Sequence, residues 1–276
     1  MRCRNHVNRF SSRRWILGLA CLFLLGGAGT IAVPAADALE IMPSFAGVPT
    51  GWVTDRYDPA SFSNVGTYQS RSDVLGIQID QAQGSTSRPG AYSGAFYNTQ
   101  GRQYAVSGGA GSTLSADLWI PSSWSDPVTG GNARSDMWGV MVDGANAVSG
   151  YPIIGFTNYG GAPRYRVWTL LGGGGWVDLG TTVAYDAWTA FSLEFTGTDF
   201  VYSINGTQVY SEANSGGSVA FSATIMQAYN FYDPSISGAN AQNYTAHWSN
   251  AVPEPGTLLL LASGIGGLAA VGRKSH

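Results

Sequence analysis

The sequence predicts an all-β domain over residues 39–250, an antiparallel β-sandwich or jelly roll, flanked by an N-terminal signal helix and a C-terminal transmembrane helix. Three observations predict the domain. The 276-residue chain holds 38 Gly, 14 Tyr and 9 Trp but only 11% charged residues, and between residues 40 and 250 no stretch repeats its apolar side chains at helical spacing. Short segments are instead separated by Gly, Pro, Asn and Asp, the residues that close turns. Finally, Asn205-Gly206 lies between two alternating runs and supplies the positive-φ pair that a type I′ hairpin requires.

In chain order, strands are expected at 74–80, 113–120, 137–143, 153–157, 165–170 and 176–181. Gly172 to Gly175 joins two of them as a hairpin loop, since no Lys-Ser/Thr and no helix follow to make it a phosphate loop. Phe191, Leu193 and Phe195 alternate with Ala190, Ser192 and Glu194, a strand with one face inward. Phe200, Tyr202 and Ile204 then lead through Asn205-Gly206 into the return strand 207–211, and further strands follow at 219–227 and 244–249.

The two ends read differently from the middle. Arg2, Arg4, Arg9, Arg13 and Arg14 precede an apolar run at 15–25, and Ala36-Asp37-Ala38 offers a small-x-small cleavage site, so residues 1–38 are expected to be a signal peptide. Ser12-Arg13-Arg14-Trp15-Ile16-Leu17 also approximates a twin-arginine motif, which leaves the export route open. At the other end, residues 256–272 carry no charge and as a helix would rise roughly 25 Å, close to the hydrocarbon thickness. Pro253 and Pro255 stop that helix from extending backward, and Arg273 and Lys274 hold its end on the cytoplasmic side. Both cysteines, Cys3 and Cys21, leave with the signal peptide, so the domain must be stabilised by its core.

The ordered set Pro253-Glu254-Pro255, apolar segment and Arg273-Lys274, in residues 251–276, resembles the tripartite sorting signal of PEP-CTERM proteins. The resemblance implies a Gram-negative source that makes exopolysaccharide, an inner-membrane-anchored intermediate, and recognition by an exosortase-type membrane protease before delivery to the cell surface or extracellular matrix. Residues 187–212, AWTAFSLEFTGTDFVYSINGTQVYSE, resemble the segment of concanavalin A-like and laminin-G-like jelly rolls in which Trp opens a strand and a hairpin displays Asn-Gly. GWVTDRYDP from residue 51 and AFYNTQGR from residue 95 are similar to the start of domains in other PEP-CTERM proteins.

Charge and residue types then narrow the function. Residues 39–250 contain seven arginines, no lysine and fifteen acidic side chains, a net of −8. Nucleic acid and anionic membrane surfaces need a positive field and are not expected partners. Retaining glycoside hydrolysis needs two carboxyl groups about 5 to 5.5 Å apart, yet the domain has only Glu40, Glu194 and Glu212 and no Glu-x-Asp-x-Glu run. Glu194 is expected to face solvent, and Asp55 and Asp58 to be solvated turn residues. His247, the domain's single histidine, is expected at a polar position on the last strand, which leaves no basis for a His-rich zinc site or a serine-histidine pair. No cofactor or metal is expected, calcium at Asp126, Asp136, Asp143 and Asp233 staying an alternative because these lie in polar segments.

Eight of the tryptophans fall in the domain, more than a core of this size readily absorbs, and an indole or phenol face stacks on sugar rings while Asn and Asp hold hydroxyls. Asn158, Tyr159, Tyr165, Trp168 and Trp176 are the candidate glycan-binding residues. The resulting expectation is an exported envelope or matrix protein whose non-enzymatic jelly roll contacts exopolysaccharide. Two alternatives stand beside it: a surface domain that packs on other proteins without binding glycan, and a glycan-active hydrolase.

Overall fold

A computed structural model describes residues 38–250. The expected signal helix and transmembrane helix fall outside the described residues, and among those residues no helix is long and apolar enough to cross a membrane.

Sixteen strands form the domain. In chain order they are β1 (Leu39–Glu40), β2 (Trp52–Thr54), β3 (Ser61–Asn64), β4 (Leu75–Ile79), β5 (Thr99–Gly108), β6 (Ser112–Ile120), β7 (Arg134–Val142) and β8 (Val148–Gly150). Then come β9 (Ile153–Thr157), β10 (Arg164–Thr169), β11 (Gly175–Asp178), β12 (Ala187–Phe195), β13 (Asp199–Ile204), β14 (Thr207–Ala213), β15 (Ala220–Tyr229) and β16 (Tyr244–Ser249). The first sheet has the order β14-β13-β12-β6-β16-β4-β3, with β1 added to β6. The second has the order β11-β10-β9-β7-β15-β5-β2, with β8 added to β7. Only β1 runs parallel to its partner strand; the other ladders are antiparallel. This is the two-sheet sandwich that the sequence predicts.

Period-two patterning places the core. On β6 the residues Leu114, Ala116, Leu118 and Ile120 are buried, on β12 Phe191, Leu193 and Phe195, and from the second sheet Met137, Phe156, Tyr165, Val167 and Met226 meet them. Trp248 is fully buried between the sheets, and its indole N–H donates to Ser135 Oγ at 2.8 Å, which satisfies the one polar atom a core tryptophan brings. The β13–β14 hairpin turns at Asn205 (φ 50°) and Gly206 (φ 75°), with a bulge between Tyr202 and Ser203.

Expected and observed strands agree closely at β9 and β16, whose bounds are those expected. Differences occur where polar residues sit on strands. β7 starts at Arg134 rather than 137, and the ten-residue β5 has no expected counterpart, because Gly101 and its polar neighbours mask an alternation that the partner strands nevertheless impose. His247 lies on β16 facing outward, as expected, but Tyr68 from the loop before β4 stacks on it at 3.8 Å. That covering, rather than a charged partner, drops its pKa from 6.5 to about 4.

Candidate functional site

The outer face of the second sheet carries the most unusual chemistry among the described residues. Because side chains two apart on a strand share a face, register alone builds two rows across it. One row runs Trp176, Trp168, Ile153, Trp138, Ile225 from β11 to β15. The adjacent row runs Asp178, Arg166, Gly155, Asp136, Gln227 over the same strands. Arg134, two residues before Asp136 on β7, begins a third.

From the chain after β2, Arg56 reaches over this face, its guanidinium 4.6 Å from the Trp138 ring centroid and 4.7 Å from that of Phe96. Tyr151 meets Trp138 edge-on at 6.1 Å. The result is a cleft of about 280 Å³ lined by Arg56, Arg134, Trp138, Tyr151, Ile153, Trp168 and Trp176. Trp168 and Trp176 cross at 76° with centroids 5.2 Å apart. Trp176 also lies over Arg166 at 3.6 Å and near Arg134 at 4.8 Å, contacts that hold an indole ring in a partly exposed position.

Two glycines make this packing possible. A Cβ on Gly155 would stand 2.3 Å from Asp136 Oδ1 and 2.5 Å from the Ser135 carbonyl, so the acid occupies space that only glycine leaves free. Gly174, at φ +90° in the β10–β11 turn, would push a Cβ to within 2.7 Å of the Trp168 ring.

The charges beneath the aromatics are imbalanced. Asp136 is fully buried, and its Oδ2 accepts from Arg134 Nε at 2.7 Å and from Gln227 Nε2 at 2.6 Å, with Arg166 Nη2 at 3.7 Å. Two guanidinium groups therefore share one carboxylate. Burial, then the nearby Arg134 charge, lowers the Arg166 pKa to about 9. Asp136 Oδ1, Gln227 Oε1, Arg166 Nε and Nη2, and Trp138 Nε1 are buried without a hydrogen-bond partner. A buried polar atom without a partner costs about 1–3 kcal/mol, and these lie in adjacent rows of the sheet.

The five candidate residues from the sequence do not form one site. Trp168 and Trp176 line the cleft together. Tyr165 is a correction: it is only 1% exposed and its hydroxyl pairs with Thr189 Oγ1 at 3.0 Å inside the core. The reason is parity, since Tyr165 and Trp168 are three apart on β10 and must face opposite ways. Asn158 is likewise buried, accepting from the Ala133 N–H and donating to the Trp124 and Gly131 carbonyls as a structural tie. Tyr159, donating to the Ser237 carbonyl at 2.9 Å, lines with Asn158 a separate hollow of about 630 Å³.

Sequence reasoning missed Arg56, Arg134, Asp136, Trp138, Arg166 and Gln227. The spacing of Arg134, Asp136 and Trp138 at every second residue was the available signal, hidden by starting the strand at 137, after Arg134 and Asp136. Asp136 consequently stands on β7 and not in a calcium-holding turn, while Asp126, Asp143 and Asp233 each cap their own local backbone. Among the described residues no three His, Cys, Asp or Glu side chains gather to hold a metal. Of the two acids expected to be solvated, Asp58 keeps a half-exposed side chain and Asp55 does not. Asp55 lies 3.0 Å from Arg56 with burial raising its pKa, and Asp58 pairs with Arg102 at 2.9 Å. Glu212 is buried, accepting from Tyr202 and Thr169 hydroxyls, each at 2.6 Å, and from the Leu170 N–H at 2.8 Å.

Residues 251–274 match the PEP-CTERM protein-sorting motif, which implies an exported protein processed at the membrane by an exosortase. No curated protein sequence matches the chain. Similar solved structures include the Bacillus licheniformis β-glucanase, at 12% identity and TM-score 0.42, covering 74% of this chain and 94% of that one. A glycoside hydrolase family 16 endo-glucanase from Bacteroides ovatus shows 12% identity and TM-score 0.42, with 75% and 97% covered. The carbohydrate-binding module CBM66 from Bacillus subtilis shows 13% identity and TM-score 0.36, with 73% and 93% covered. At these identities the likeness is one of fold. The glucanases among the similar structures correct the expectation that this jelly roll is non-enzymatic, and that expectation is withdrawn.

Proposed function

We propose that this chain is an exported, envelope-sorted protein whose domain at 39–250 is glycan-active, the cleft of the second sheet taking a segment of a carbohydrate chain. Residues 1–38 serve as its signal peptide, cut after Ala38, and 251–276 as its sorting tail, which delivers it to a Gram-negative cell surface. The observation that carries the reading is the cleft itself. Trp138, Trp168 and Trp176 line it together with Arg56, Arg134 and Tyr151. Sugars present an apolar ring face to stack and hydroxyls to pair, which is the chemistry this combination meets. Arg56 and Arg134 line the same cleft as donors to ring substituents.

Cleavage of the bound chain is the second reading; Asp136, set in the same face, is fully buried with its Oδ1 against Gly155. Hydrolysis further requires a second carboxyl group within about 5 to 9.5 Å. One experiment tests both readings. The full chain in nonionic detergent is incubated with laminarin, lichenan, pectate and host exopolysaccharide, and retention and newly formed reducing ends are measured. Retention lost in Trp168→Ala and Trp176→Ala supports the cleft, and reducing ends lost in Asp136→Asn add cleavage. Neither retention nor reducing ends on any polymer would sink the proposal.

A further inference from the structure

The arginines of this domain are not scattered. Four of the seven in residues 39–250, namely Arg56, Arg134, Arg164 and Arg166, lie on or above the outer face of the second sheet, and the carboxylates paired with them are Asp55, Asp136 and Asp178. Arg164 is matched by Asp178 at 2.8 Å and Arg56 by Asp55 at 3.0 Å, but Arg134 and Arg166 share Asp136 alone. One positive charge is therefore in excess at this face, in a domain whose net charge is −8. The excess sits beside the cleft. Arg134 and Arg56 line it, and Arg166, 7% exposed and held to Asp136 only at 3.7 Å, packs against Trp176.

Like charges held together against an apolar wall are unfavourable unless an anion joins them. Arg56 registers this, its pKa lowered chiefly by burial, with the Arg134 charge adding to the lowering against Asp55. Guanidinium groups are planar forks that match a carboxylate in two parallel hydrogen bonds, and they stack on aromatic rings as Arg56 does on Trp138 and Phe96.

Resting on the carbohydrate reading above, we infer that the chain held in the cleft is acidic, with the carboxylate of a uronic acid unit seated between Arg56 and Arg134 while the indoles stack on the sugar rings. The negative domain as a whole repels a polyanion, so any preference for the acidic sugar arises at the cleft and not from a general field.

The test uses the full chain in nonionic detergent at fixed ionic strength, titrated with oligogalacturonate, with its methyl ester, and with neutral laminari-oligosaccharide. Oligogalacturonate is expected to bind at least about tenfold more tightly than its ester, since a charge-assisted bidentate pair is lost on esterification. Arg56→Gln should bring the ratio of acid to ester affinity close to one, whatever it does to the ester's own affinity, whereas Arg102→Gln, on β5 and paired with Asp58, should leave the ratio intact. Equal affinity for oligogalacturonate, ester and neutral oligosaccharide would overturn the acidic assignment and leave the carbohydrate reading standing. Absence of binding by all three, in protein whose melting transition matches that of Arg102→Gln, would overturn both.

Discussion

Replacing Glu212 separates a structural carboxylate from a reactive one. The side chain projects from β14, at one edge of the first sheet, to the end of β10 in the second, and its two oxygens take three hydrogen bonds. Oε1 accepts the Tyr202 hydroxyl, while Oε2 accepts the Thr169 hydroxyl and the Leu170 N–H. Bonds to a charged group contribute about 1.5–3 kcal/mol each, but the Thr169 and Leu170 donors are only part-buried and can turn to water. Tyr202 cannot; it is fully buried, and burial with the adjacent carboxylate pushes its phenol far above the ordinary range. Glu212→Ala should therefore cost about 2–3 kcal/mol, the loss typical of leaving a buried donor without its charged acceptor. Glu212→Gln should cost only about 1–2 kcal/mol, because its amide oxygen can take the place of Oε2 and its amide nitrogen can donate to the Tyr202 oxygen. Urea unfolding followed by tryptophan fluorescence reads both. Equal losses for the two variants, or a loss below about 1 kcal/mol for Ala, would refute the strut. If Gln left stability intact but removed reducing-end release from a substrate polymer, Glu212 would be a reacting group instead.

Further outcomes follow from the same geometry. Because the folded His247 pKa lies near 4, below its unfolded 6.5, the unfolded chain binds the proton first. Stability present above pH 6.5 should accordingly fall as pH drops from 6.5 towards 4, and His247→Gln should flatten that segment of a melting-temperature profile. Gly155→Ala forces a Cβ against Asp136 Oδ1 and the Ser135 carbonyl and should cost about 1–3 kcal/mol in urea unfolding while weakening glycan retention. Trp176→Ala uncovers Arg166 and should abolish retention while costing about 2 kcal/mol of stability, the scale of a desolvated cation–π contact.

How much was legible in the sequence depended on which force decided each element. Where burial and alternation agreed, as at 153–157 and 244–249, the strand bounds were readable, and Asn205-Gly206 announced its hairpin through backbone sterics alone. β5 and the start of β7 were not readable, because Gly101, Arg134 and Asp136 owe their strand conformation to neighbours in the sheet and not to their own preference. The site shows the same division. Aromatic surplus singled out Trp168 and Trp176, but Tyr165 went to the wrong face because strand parity was not applied to it. Arg56 joins the cleft from more than eighty residues earlier than Trp138, and only the sandwich topology brings the two together.

Both ends of the domain meet on one flank of β6. β1 pairs with Ser112 and Thr113, while β16 runs the opposite way along the same strand as far as Asp117. Asn250 then ties them, donating to the Pro43 carbonyl and accepting from the Phe45 N–H. A pull applied at residue 250 thus enters β16, which is bonded to β6 on one side and to β4 on the other. Since those bonds lie across the strand, tension along it loads them together in shear and does not unzip them singly. The cleft lies on the opposite sheet, so drag on a polymer held there would pass through the full thickness of the sandwich before reaching residue 250.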